Sequence, residues 1–194
     1  MDNQTKILFI AEKSQWCYKA LELLKQHFSL IESIFWNYDD PKLKPIQWNG
    51  DWIISFKSDL LLPTSIINSA SKGALNFHPA PPRYRGIGGY NHSIYNNDTT
   101  FGTTCHHMSI KIDNGKIIKV NNFPIAKHQT ATSLREEASK HSFELFKEIL
   151  EYIIFKKQLP ASKERWGNKL YTHKSLDKFI ADLKSKNIKH NCLL

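Results

Sequence analysis

The 194-residue sequence lacks the marks of several protein classes. No apolar run approaches the roughly 20 residues that a bilayer-spanning helix needs, so no transmembrane segment is expected. The N-terminus, MDNQTKILFI, is acidic at Asp2 and has no long apolar stretch behind a basic start. It does not read as a secretory signal, and the cytoplasm is the expected compartment. Cysteine is scarce. Cys17, Cys105 and Cys192 are odd in number, scattered and without a CxxC pair. That excludes a disulfide framework or a zinc ribbon and leaves buried or incidental thiols. Acidic residues are outnumbered, 18 against 27 Lys and Arg, for a net charge of +9. The surplus lies mostly in the C-terminal third, at Lys156, Lys157, Lys163, Arg165, Lys169 and Lys174 onward. It attracts phosphate-bearing partners or simply solubilises the surface, and charge alone does not separate an RNA from a nucleotide. No dense block of like charges, internal repeat or low-complexity stretch is present.

The chain is long enough for one sizeable core, and one domain plus a short appendage is the default organisation. Lys6–Ile10, Ser29–Trp36, Asp51–Phe56 and Ala74–Phe77 are apolar runs of strand length. Between them, Ser14 is placed to cap a helix carrying Trp16 to Phe28, and Thr64 to about Ser71 reads as a short helix after the Leu60–Pro63 corner. Strands alternating with helices predict an α/β fold: a Rossmann-like, mostly parallel sheet with helices on both faces. Such sheets bind ligands beyond the carboxyl ends of their strands. Phe101 to Asp113 reads as a long strand, ended by the turn signal Asp113-Asn114-Gly115, and Lys116–Val120 as its return. Thr130 to about Phe155 is an amphipathic helix capped by Thr130 or Thr132. The catalytic unit is expected over residues 1–158. Residues 159–194 form a short helical or hairpin extension, with a last helix from about Ser175 to Lys186.

The informative stretch is Ala74–Tyr90, ALNFHPAPPRYRGIGGY. Asn76 and His78 lie two apart at a strand end, so both side chains reach one side while Phe77 turns to the other. Pro79 restricts the backbone of His78, and Gly86, Gly88 and Gly89 permit tight turns or close approach to a ligand. An amide and an imidazole in one cleft supply a neutral hydrogen-bond donor and a proton acceptor near neutral pH. His106 and His107 are adjacent in a strand and face opposite ways. With Cys105 they lack a second ligand pair, so no metal is expected, although one of them can line the cleft.

Asn76-Phe77-His78-Pro79, Arg83-Tyr84-Arg85-Gly86, Gly102-Thr103-Thr104 and Asp113-Asn114-Gly115 occur in that order. This constellation, with Ile54–Pro63 before it, resembles the 10-formyltetrahydrofolate-dependent formyltransferases over roughly residues 50–125. The resemblance implies Asn76, His78 and Asp113 as catalytic residues and 10-formyltetrahydrofolate as formyl donor. The donor is implied to sit on Leu60, Leu61, Ser109, Ile110, Lys111 and Ile112. In that setting Asn76, with protonated His78, would stabilise the oxyanion. His78 or Asp113 would take the proton of the attacking amine, and Asp113 would orient the imidazole. Which group is the base stays open.

The resemblance admits several acceptors. After the first strand the chain reads Ala11-Glu12-Lys13-Ser14-Gln15 with no glycine, which disfavours the phosphate cradle of the purine-pathway members. Methionyl-tRNA members carry a sizeable C-terminal barrel, for which Pro160–Leu194 is too short. No RNA-binding motif is apparent, and nucleic acid is not the expected partner. The sugar N-formyltransferases remain. Trp166–Leu176 (WGNKLYTHKSL) is similar to a segment found after their core. They imply a nucleotide-linked amino-deoxy sugar, usually dTDP-linked, of the kind used in O-antigen and lipopolysaccharide biosynthesis. Arg83, Tyr84, Arg85, Gly86, Trp166 and Tyr171 are then the substrate-binding candidates. The apolar face of Thr130–Phe155 either covers the sheet or supports a homodimer. A catalytically silent relative acting as a binding module is the reading from another class.

Overall fold

Apolar residues at alternate positions of each strand commit its two faces to two separate cores, and this fixes the layering. A computed structural model describes residues 2–194. In chain order the elements are β1 (Asp2–Ala11), α1 (Gln15–His27), β2 (Phe28–Phe35), β3 (Gly50–Phe56), α2 (Thr64–Ile67), β4 (Ala70–His78), β5 (Arg85–Gly86) and α3 (Gly89–Tyr95). Then follow β6 (Thr100–His107), β7 (Ile117–Pro124), α4 (Ala131–Ile154), β8 (Leu170–Tyr171), α5 (His173–Ser185) and a 3-10 turn, Asn191–Leu193.

Six strands make one sheet in the order β2-β1-β3-β4-β6-β7. The first four run parallel, and β6 and β7 add an antiparallel edge. Ile7, Phe9, Ile54, Phe56, Leu75 and Phe77 look toward α1 and α4. Leu8, Ile10, Ile53 and Ala74 look the other way, toward Ile66 of the one-turn α2 and Trp48 of the irregular 36–49 connection. The Phe56, Phe77 and Phe146 rings meet at 5.2 to 5.8 Å. Each buried ring stabilises the fold by roughly 2–3 kcal/mol. Phe77 thereby anchors the strand end between Asn76 and His78. Among the described residues, no helix is long and apolar enough to cross a membrane.

Several boundaries differ from the sequence expectation, each for a local reason. β6 ends at His107 rather than running to Asp113, because Met108 to Gly115 leave the sheet as a loop. Thr130 caps α4 through a reciprocal pair with Ser133. α5 starts at His173, two residues earlier than expected, because Ser175 is the third residue of its capping box with Thr172. Ser14 does sit at the N-cap of α1, but its hydroxyl donates to Cys17 Sγ at 3.2 Å. The 159–194 segment contributes β8, which pairs in parallel with β5, and α5. Neither two-residue strand was expected.

Candidate active site

β4 and β6 are antiparallel neighbours, and their register sets Asn76 opposite His106 and His78 opposite Thr104. Directly opposed side chains share a face, so these four residues stand together at the carboxyl end of β4. Phe77 and Cys105 occupy the other face and are buried in the main core. His106, not His107, is therefore the histidine of this pair that enters the network.

Asp113 reaches the same place from the loop after β6, with its backbone in the left-handed region at φ 41°. Asp tolerates that region better than most side chains, and such outliers gather at functional sites. The loop is closed by His107 N–H donating to the Lys116 carbonyl at 2.9 Å and Met108 N–H to the Ala74 carbonyl at 2.8 Å. Gly115 makes the closure: a Cβ there would overlap the His107 carbonyl oxygen. Arg85 then grips the loop, with Nε donating to the Asp113 carbonyl at 2.7 Å and a terminal nitrogen to the Ile112 carbonyl at 2.8 Å.

The Asp113 carboxylate is the hub. Its Oδ2 accepts the Gly86 N–H at 2.7 Å and lies 3.3 Å from His78 Nδ1. Its Oδ1 lies 3.3 Å from both His106 Nε2 and Asn76 Nδ2. Burial pushes this carboxyl upward, but His78, His106 and the Gly86 N–H outweigh it, and Asp113 is held well below the usual carboxylate range.

The two imidazoles have assigned protons. Carbonyls only accept, so His78 Nε2, 2.8 Å from the Tyr84 carbonyl, carries a hydrogen. His106 Nδ1, 2.8 Å from the His107 carbonyl, does too. His106 Nε2 lies 3.1 Å from Asn76 Nδ2 and accepts from it when it carries no proton. When it is protonated it donates instead to Asp113 Oδ1 at 3.3 Å, the form in which it helps to hold that carboxyl down, and the Asn76 amide then turns over. Trp166 backs this arrangement, standing edge-on to the His106 ring at 4.8 Å while its Nε1 donates to the Gly115 carbonyl at 2.7 Å.

Asn76, His78 and Asp113 line a cleft of about 630 Å³, together with Leu60, Leu61, Ser109, Ile110, Lys111 and Ile112. The residues proposed for donor and chemistry are therefore brought together. The acceptor candidates divide. Gly86 and Tyr171 line the cleft. Arg83 and Tyr84 are turned away: Arg83 donates to Asp98 at 3.0 Å, and buried Tyr84 donates its hydroxyl to the same carboxylate at 2.6 Å. Arg85 and Trp166 act on the Asp113 loop instead. Their polar groups are satisfied by partners that the sequence did not reveal.

Sequence reasoning also passed over Glu12, Lys57 and Arg135, which line the same cleft. Lys57 is buried with φ 51°. Its Nζ donates to Ser139 Oγ at 2.5 Å and pairs with Glu12 Oε1 at 2.8 Å. Arg135 holds the other Glu12 oxygen at 2.9 Å. A lysine directly after an apolar strand was the available signal. A more open depression of about 780 Å³, between residues 125–129 and 188–194, contains no member of the Asp113 network.

The fold and site define an α/β protein with an amide, two imidazoles and a carboxylate converging at the carboxyl edge of its sheet. The chain belongs to the formyl transferase family, whose pattern matches residues 44–150. It is similar to the methionyl-tRNA formyltransferase of Borreliella afzelii, 31% identical over 135 residues, covering 69% of this chain and 42% of that protein. The Wolbachia counterpart is 33% identical over 102 residues, 52% of this chain and 33% of the relative. The chain thus spans well under half the length of these curated relatives. Among solved structures, an N-formyltransferase of Helicobacter canadensis in complex with folinic acid and dTDP-3-aminofucose shares the fold at TM-score 0.70 and 22% identity, over 87% of this chain and 71% of that one. The formyltransferase PseJ of Anoxybacillus kamchatkensis, in complex with UDP-4,6-dideoxy-4-formamido-L-AltNAc and tetrahydrofolate, does so at TM-score 0.70 and 22% identity, over 97% of both chains.

Proposed function

We propose that this protein transfers a formyl group from 10-formyltetrahydrofolate to the amine of a nucleotide-linked amino-deoxy sugar. The observation that carries the reading is the Asn76, His78, His106 and Asp113 network opening into a cleft within the family match. The cleft fits the donor. Leu61, Ile110 and Ile112 are large apolar side chains left 69%, 80% and 36% exposed beside it, a surface that a flat heterocycle would cover. When bound, the donor supplies an activated formyl carbonyl.

Transfer forms a bond from the acceptor nitrogen to the formyl carbon, breaks that carbon's bond to the donor nitrogen, and moves one proton from the amine to the departing donor nitrogen. With its nitrogen turned inward, Asn76 presents its amide oxygen to the cleft, where it orients the incoming N–H. Turned over against a protonated His106, the same amide donates to charge growing on the formyl oxygen, and one such donor is worth about 3 kcal/mol of barrier. His78 Nδ1 carries that proton from one nitrogen to the other, because a proton placed there lies against the Asp113 carboxylate.

Two nucleotide-sugar-binding neighbours of the same fold support the sugar acceptor, one of them matching along 97% of both chains. Residues 1–158 then supply the chemistry, and 159–194 supply Tyr171 to the cleft wall and Trp166 behind it. Sequence relatives keep methionyl-tRNA as the second reading. The test is release of tetrahydrofolate with a panel of dTDP- and UDP-amino sugars, methionyl-tRNA and glycinamide ribotide. Turnover on an amino sugar alone is expected. Turnover on charged tRNA would transfer the assignment to the second reading, and folate binding without any turnover would favour a silent relative.

A further inference from the structure

The strand order of the sheet marks a second place in the cleft. From β1 the chain crosses through α1 to β2 on one side, then returns across β1 to place β3 on its other side. The gap between the ends of β1 and β3 is thus the topological switch point, where open α/β sheets take up ligands. Ala11 pairs in register with Phe56 there, so the next residues, Glu12 and Lys57, flank the gap. The Asn76 and Asp113 network belongs to the neighbouring strand ends, β4 and β6.

We propose that Arg135, positioned by Glu12 and Lys57, is the diphosphate-binding residue for the acceptor; this rests on the nucleotide-sugar reading above. Arg135 lines the cleft and its side chain is more than half exposed, yet it gives one of its N–H donors to Glu12 Oε2 at 2.9 Å. A guanidinium has five donors in a fixed fork suited to phosphate oxygens. Glu12 is held in turn by Lys57 Nζ, which Ser139 fixes from below. Burial raises the Glu12 carboxyl, and Lys57 and Arg135 together bring it below the usual range, so the carboxylate stays charged and keeps aiming the fork. Burying a lysine and an acid is costly unless both are paired, and Lys57 is held in a left-handed backbone conformation as well. A fold that maintains such an arrangement at its switch point is a built site. The arginines nearer the motif are engaged elsewhere, Arg83 on Asp98 and Arg85 on the Asp113 loop.

The experiment compares wild type, Arg135→Ala, Arg135→Lys, Glu12→Gln and, as a charge control on the same helix, Lys140→Ala. Three quantities are measured: inhibition constants of dTDP, UDP and inorganic pyrophosphate, KM for the amino-sugar nucleotide, and tetrahydrofolate affinity by fluorescence. Arg135→Ala is expected to weaken diphosphate binding and raise the acceptor KM by about tenfold or more. Its folate affinity stays within about twofold, because the donor side of the cleft is untouched. Arg135→Lys recovers part of the loss, Glu12→Gln raises KM more than it lowers kcat, and Lys140→Ala matches wild type. Turnover on a sugar nucleotide with an unchanged KM in Arg135→Ala overturns the subsite and leaves the proposed function standing. A wild-type protein that binds neither nucleoside diphosphate nor pyrophosphate overturns the subsite too. If it also formylates no sugar nucleotide, the functional reading falls with it.

Discussion

Replacing Asp113 by Asn keeps the shape of the hub and removes its charge. The new amide oxygen can still accept the Gly86 N–H, now made by Oδ2 at 2.7 Å. Its NH2 group then faces Asn76 Nδ2, 3.3 Å away in the native protein, and two donors oppose each other. The proton on His78 Nδ1 also loses its counter-charge, from a carboxylate 3.3 Å away. One lost buried hydrogen bond and one unsatisfied donor cost about 1–3 kcal/mol of stability. Loss of a group that orients and balances a catalytic imidazole lowers turnover by about 10²–10⁴-fold. The pH dependence gives a sharper test. The folded carboxyl is held far below its unfolded value of about 3.9, so its stabilisation is present above that value and fades as pH falls through the gap. The stability difference between the two proteins should be smaller at pH 3 than at pH 5, by about 1 kcal/mol. Urea titrations at each pH, beside a formyl-transfer assay at pH 7.5, measure both quantities. A difference that does not shrink toward pH 3, or a variant within tenfold of wild-type turnover, would refute the network as drawn.

His106→Phe should fill the space beside Trp166 but leave Asn76 Nδ2 without its acceptor, so kcat falls about 10–100-fold while folate binding is retained. Steady-state kinetics and fluorescence titration check it. Gly115→Ala should cost about 1–3 kcal/mol and most of the activity, because the added methyl group displaces the loop that carries Asp113; thermal unfolding and turnover read the two effects.

That Asn76 and His78 share one cleft was legible from a two-residue spacing, a strand end and a proline, while the roles proposed for them, and the choice of Asp113, came from the resemblance. A turn signal alone does not say what the turn faces. The turn signal at Asp113-Asn114-Gly115 set the predicted strand end, whereas the strand stops at His107. Instead of packing into the core, Ile110 is 80% exposed beside the cleft. Arg83 and Tyr84 looked like ligand groups because Asp98, fourteen or more positions away, gives no local sign of engaging them. Lys57 was passed over for a related reason: its partners Glu12 and Ser139 are 45 and 82 positions distant, and its left-handed backbone leaves no periodicity to read. Strands of two residues, such as β5 and β8, are too short to carry any pattern.

The pairing of β5 with β8 has a consequence for synthesis. Gly86, whose N–H steadies Asp113, takes its own place from Leu170 and Tyr171, and its backbone fits against the Tyr171 carbonyl so closely that no Cβ could intervene. A nascent chain that already carries Asn76, His78 and Asp113 therefore still lacks the clasp that steadies Asp113. The clasp closes only once residues 170 and 171 have been made, because both of its strands must be present. A truncation before Leu170 should give a folded sheet in which Asp113 is no longer held by Gly86.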